Sequence, residues 1–76
     1  METYLSDLKK NQRAVIKACS AEGPLKQKLI SMGFIPGAQI RMIRNAPLRD
    51  PLEVEIHNYL ITLRRSEARL IELEAV

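Results

Sequence analysis

Seventy-six residues, 46% hydrophobic and 28% charged, describe one globular domain and exclude a disordered chain. A single cysteine, Cys19, excludes an intramolecular disulfide, and no apolar run approaches the roughly 20 residues that a membrane-spanning helix needs. The net charge of +3 divides unevenly, with nine cations and three anions over 1–49 against three cations and six anions over 50–76. The basic half is therefore a candidate docking surface.

The first ten residues mix Glu2 and Asp7 with apolar side chains and lack the basic-then-apolar order of a secretory signal, so a cytoplasmic location is expected. Leu5 and Leu8 bracket an opening turn, and Asn11 suits a left-handed corner. From Arg13 to Cys19 the sequence alternates, with Ala14, Ile16 and Ala18 on one face, which predicts a half-buried strand.

Pro24 and Gly33 punctuate the one convincing helix, predicted over 24–32, with the proline in the first turn and the glycine as a left-handed cap. Leu25, Leu29 and Met32 fall at i, i+4 and i+7 and form its apolar stripe, and Ile30 lies off it. Pro36-Gly37 then reads as a turn. A strand from Gln39 to Arg44 follows, whose imperfect alternation predicts a bulge or a two-sided strand. Two prolines make 46–51 a loop.

Glu53 and Glu55 alternate with Leu52, Val54 and Ile56, so a strand over 52–57 should turn its acids to solvent. Asn58 and Tyr59 are expected to connect it to a second strand with Ile61 and Leu63 inward, and Ser66 to cap a short helical turn. A last strand is predicted over 70–74. About five short strands and one short helix make the fold class mainly β, a small closed or nearly closed barrel that hides its sheet edges.

Material for chemistry is thin. His57, Cys19, the glutamates and three methionines are the available metal ligands, and Glu55 with His57 supplies two donors on one strand face, fewer than a stable site needs. Neither a metal nor a cofactor is expected. No nucleophile has an evident base, and no Gly-x-x-x-x-Gly-Lys-Ser/Thr phosphate loop occurs, so an enzyme is not expected. Tyr4, Phe34 and Tyr59 are too few and too scattered for nucleic-acid stacking or a proline-reading groove.

Three blocks in order carry a resemblance. Lys26-Gln27-Lys28-Leu29-Ile30-Ser31-Met32-Gly33-Phe34-Ile35-Pro36-Gly37, Ala46-Pro47-Leu48-Arg49-Asp50-Pro51 and Ile61-Thr62-Leu63-Arg64-Arg65-Ser66-Glu67-Ala68 resemble the helix-turn, loop and hairpin end of the FeoA family. Asn11, Arg49 and Asn58 stand where that family more often has glycine. Asparagine tolerates a left-handed backbone, whereas arginine there would be strained or the loop built differently.

The resemblance implies an SH3-like β-barrel that works beside FeoB, a membrane ferrous-iron transporter with a cytoplasmic GTP-hydrolysing domain. The expected partner is that transporter's cytoplasmic part, with no nucleic acid, no direct membrane insertion and room for weak self-association. Leu29 is the expected helix anchor of the docking surface, Ile30 and Phe34 its apolar patch, and Lys26 and Lys28 its basic rim. The alternative is a metal-responsive module like the C-terminal domain of iron-dependent repressors, although no DNA-reading helix precedes it.

Overall fold

A computed structural model describes residues 3–46 and 49–74. Alternating aliphatic residues build most of it. Six strands, β1 (Thr3–Tyr4), β2 (Arg13–Cys19), β3 (Gln39–Arg44), β4 (Leu52–Ile56), β5 (Tyr59–Leu63) and β6 (Ile71–Leu73), form one sheet in the order β1-β6-β2-β3-β4-β5, with every neighbouring pair antiparallel. The helices are α1 (Gly23–Ser31) and a single turn, α2 (Arg65–Ala68), and a 3-10 turn spans Leu5–Asp7.

The fold is mainly β as expected, with one strand beyond the five that the sequence pattern marks and an unclosed sheet. The additional strand is β1, whose residues pair with β6 through Thr3 and Leu73. Two residues are too short for alternation to reveal. Curvature brings the extents to 28 × 27 × 25 Å, yet among the described residues the pairing runs from β1 to β5 without joining them, so both are edges there.

The inner face holds Ala14 and Ile16 from β2, Ile40 and Met42 from β3, Leu52, Val54 and Ile56 from β4, and Ile71 and Leu73 from β6, all buried. Each fully buried Val, Leu, Ile or Met side chain contributes about 1.5–3 kcal/mol relative to exposure. A register shift between Ile16 and Ala18 in the β2–β6 ladder turns the end of β2, and Cys19 packs against the core beyond it. A second shift between Met42 and Arg44 is the bulge that the uneven pattern of β3 foretells.

Left-handed residues set the corners. Asn11 (φ 69°) donates its N–H to the Met42 carbonyl at 2.7 Å, tying the entry of β2 to β3. His57 (φ 52°) and Asn58 (φ 67°) form a two-residue turn, with Ile56 opposite Tyr59. Positive φ at both central residues is the type I′ signature of tight hairpins. Tyr59 therefore starts β5 instead of lying in the connection, because the turn takes His57 from the end of the predicted strand.

Candidate docking surface

The helix α1 ends in a device that decides which of its side chains reach the surface. The Gly33 N–H donates to the Ile30 carbonyl at 2.9 Å, and the Phe34 N–H reaches back to the Leu29 carbonyl at 3.1 Å, with Gly33 at φ 104°. This is the Schellman arrangement, in which the residues at either end of the longer bond are typically apolar and turn inward together. Leu29 and Phe34 are both 0% exposed members of the core.

That corrects two expected docking residues. Neither Leu29 nor Phe34 offers a side chain to a partner, since the cap that fixes the helix end consumes both. Ile30 is 42% exposed, and so is Ile35 just beyond the cap. Lys26, one turn before Ile30 on the same helical face, is exposed as well. The exposed apolar side chains around this cap are thus Ile30 and Ile35, not Phe34.

Lys28 is committed elsewhere. Its Nζ lies 3.0 Å from Glu67 Oε2, joining α1 to α2, while the Arg64 N–H donates to Glu67 Oε1 at 2.8 Å. Glu67 is nearly buried at 9% exposure. The Arg64 backbone bond holds its carboxyl below the usual range; burial pushes the other way, and Lys28 adds to the lowering. Glu67 thus anchors the start of α2 from its third position, and Ser66 is not the cap. With arginine at the N-cap the usual Ser/Thr-x-x-Glu/Gln signature is absent, so the sequence pointed to the serine instead.

Arg65 has a structural task. Its Nη2 donates to Asn45 Oδ1 and the Ala46 carbonyl, each at 2.8 Å, and its backbone N–H donates to Asp50 Oδ1 at 2.7 Å. One guanidinium therefore clamps the loop between β3 and β4. Pro47 and Leu48, in that loop, lie outside the described residues.

His57 does not share a strand face with Glu55. Alternation ends where His57 enters the turn, and the Glu55 carboxylate lies 3.3 Å from Arg41 Nη2 across the β3–β4 ladder. A cleft of about 650 Å³ runs beside this pair, lined among others by Arg13, Arg41, Glu55, His57 and Asn58. Among the described residues, no group of three or more His, Cys, Asp and Glu side chains stands ready to hold a metal. No helix among them is long and apolar enough to cross a membrane.

Two further surface features escaped the sequence reading. Tyr59 is 70% and Leu60 65% exposed, side by side on the edge strand β5. Adjacent apolar residues on a strand must point to opposite faces, which was the signal that one of them would be stranded outside.

Fold and surface together define a small SH3-like β module whose conspicuous features are an exposed helix face and an open sheet edge. A family model described as the FeoA domain matches residues 3–75, and the chain belongs to that family. It is 38% identical over 72 residues to an Fe(2+) transport protein A/Fe(2+) transporter FeoB fusion protein of Porphyromonas gingivalis, covering 95% of this chain but 8% of the fusion. A putative Fe(2+) transport protein A of Campylobacter jejuni is 32% identical, with 95% and 97% of the two chains covered.

Solved structures agree. Iron(II) transport protein A of Clostridium thermocellum superposes with a TM-score of 0.89 at 46% identity, over 97% of this chain and 46% of that one. A zinc complex of Stenotrophomonas maltophilia FeoA, described as a prokaryotic SH3 domain protein, gives 0.84 at 28%, over 95% and 89%. A manganese-dependent transcriptional repressor gives 0.87 at only 14% identity, over 99% and 42%, which is a likeness of fold alone.

Proposed function

We propose that this chain is a cytoplasmic, non-catalytic accessory protein of ferrous-iron uptake that binds the cytoplasmic part of a FeoB-type transporter and biases one of its conformational steps. The observation that carries this reading is the Porphyromonas gingivalis relative, whose name joins an Fe(2+) transport protein A to the transporter in one polypeptide. Covalent fusion holds two partners at high effective concentration, an arrangement useful when they act together. Biasing a step requires unequal affinity for two transporter states, because equal affinity shifts no equilibrium.

Docking is assigned to the outer face of α1, with Ile30 and Ile35 as the apolar contact and Lys26 at its rim. The deciding experiment captures a detergent-solubilised FeoB-type transporter from the same genome on the tagged chain, with and without a non-hydrolysable GTP analogue. Capture that depends on nucleotide, and that Ile30→Glu abolishes while the variant stays folded, is the expected result. Equal capture in both nucleotide states, or none in either, overturns it.

A further inference from the structure

The geometry points to β5 as a self-pairing edge: we propose that two copies of this chain join antiparallel through β5, continuing each sheet into the other. The two-residue turn at His57-Asn58 fixes which backbone groups are free. Ile56 and Tyr59 close that turn as a hydrogen-bonded pair, and the register pairs Val54 with Ile61 and Leu52 with Leu63. In an antiparallel ladder bonded and non-bonded pairs alternate, so Tyr59, Ile61 and Leu63 spend their N–H and C=O groups on β4. Leu60 and Thr62 must turn theirs the other way, toward the open side.

Among the described residues nothing meets them there. The sheet ends at β5, and no hydrogen bond from Leu60 or Thr62 reaches any element beyond β4 among the described residues. An edge of this kind is ordinarily blunted by a lysine, a proline, a bulge or an inward charge. The strand Tyr-Leu-Ile-Thr-Leu has no charge and no proline, and its register against β4 is unbroken. Its outward Leu60 is 65% exposed.

The same features say what covers it. Turning a second β5 about a two-fold axis at Ile61 sets each copy's Leu60 opposite the other's Thr62, and each such pair exchanges both of its backbone bonds. Both faces then match. Leu60 meets the Thr62 methyl on the outer face, Ile61 meets its own counterpart on the inner face, and Tyr59 lies opposite Leu63. No like charges oppose one another within the strand, since the nearest cation, Arg64, falls opposite Asn58. A foreign strand would need its own matching pattern, whereas a second copy already has it.

One short strand pair is small beside a standard interface, so association belongs to high concentration. The test is sedimentation equilibrium on the untagged full chain from about 10 μM to about 1 mM, the range in which weak contacts become populated. Amide exchange at Leu60 and Thr62 is followed by NMR at both ends of the range. Apparent mass is expected to climb from monomer toward dimer, with exchange at those two amides slowing severalfold.

Two variants guard the result. Leu60→Lys places a gatekeeper charge on the edge, and Thr62→Pro removes an outward N–H that β4 does not use. Either, if folded, should hold the chain at monomer mass. A monomer at every concentration with freely exchanging Leu60 and Thr62 amides overturns the proposal, as does association that both folded variants retain. Self-pairing is measured without the transporter, so its failure leaves transporter docking untouched.

Discussion

Lys28 and Glu67 are 39 residues apart in sequence and meet at 3.0 Å, fastening α1 to the turn of helix that follows β5. The carboxylate in this pair also accepts the Arg64 N–H, so its ionised form is favoured by the fold, chiefly by that backbone bond. A group whose folded pKa lies below its unfolded value contributes stability that is present above the unfolded value, about 4.3 for glutamate, and is lost as pH falls through the folded one. Urea midpoints should therefore be flat near neutrality with respect to this group and decline below about pH 4.3. Glu67→Gln keeps an acceptor but removes the charge, and is expected to flatten that acid decline. A midpoint-against-pH curve with the same acid slope as the parent chain would count against the assignment.

Neighbouring positions on α1 should respond very differently to the same substitution. Leu29 is fully buried and Ile30 is 42% exposed. Leu29→Ala is expected to cost about 2–5 kcal/mol, and Ile30→Ala about 0.5 kcal/mol or less, by chemical denaturation. A loss of transporter binding in Leu29 variants alone would then report unfolding, not a contact. Similar stability of the two variants would mean that the helix is rotated from its described position.

The contrast between those residues marks how far the sequence could be read. Strands β2 and β3 have the predicted limits because alternation over six or seven residues identifies a half-buried strand. Helix α1 lies within one residue of its predicted range because Pro24 and Gly33 punctuate it. The helical stripe even placed Leu29 inside. What misled the docking assignment was Phe34, an apolar residue after the helix that only the cap geometry turns inward. Links such as Lys28 to Glu67 and Arg65 to Asn45 were illegible because they depend on tertiary distance, which no local pattern encodes.

Gly33 and Gly37 separate backbone strain from crowding. Both have positive φ, 104° and 91°, so a Cβ is strained at either. At Gly33 the added atom would also lie 3.2 Å from His57 Cδ2 and 3.6 Å from Ile56 Cδ1, while at Gly37 nothing lies within 4 Å. Gly37→Ala should cost about 1–3 kcal/mol for the backbone alone, and Gly33→Ala more. Combining Gly33→Ala with His57→Ala should recover only the excess, a coupling readable from a double-mutant cycle. Additive costs would remove the predicted contact between the cap and the hairpin turn.

Arg65 tests whether a single guanidinium orders the loop between β3 and β4. Its Nη2 binds Asn45 Oδ1 and the Ala46 carbonyl at 2.8 Å and approaches the Arg49 carbonyl at 3.3 Å, so three acceptors converge on one nitrogen. Lysine carries the charge on a shorter side chain ending in a compact, strongly hydrated ammonium, so Arg65→Lys should lose most of these bonds, at about 1–3 kcal/mol in chemical denaturation. The Arg65 N–H would still reach Asp50 Oδ1, because that bond belongs to the backbone. Hydrogen exchange should therefore quicken at Arg49, whose N–H bonds the Ala46 carbonyl at 3.2 Å, while the β4–β5 ladder stays protected. If Arg49 exchange were unchanged in Arg65→Lys, the loop would be ordered by its own chain, and the clamp would contribute packing alone.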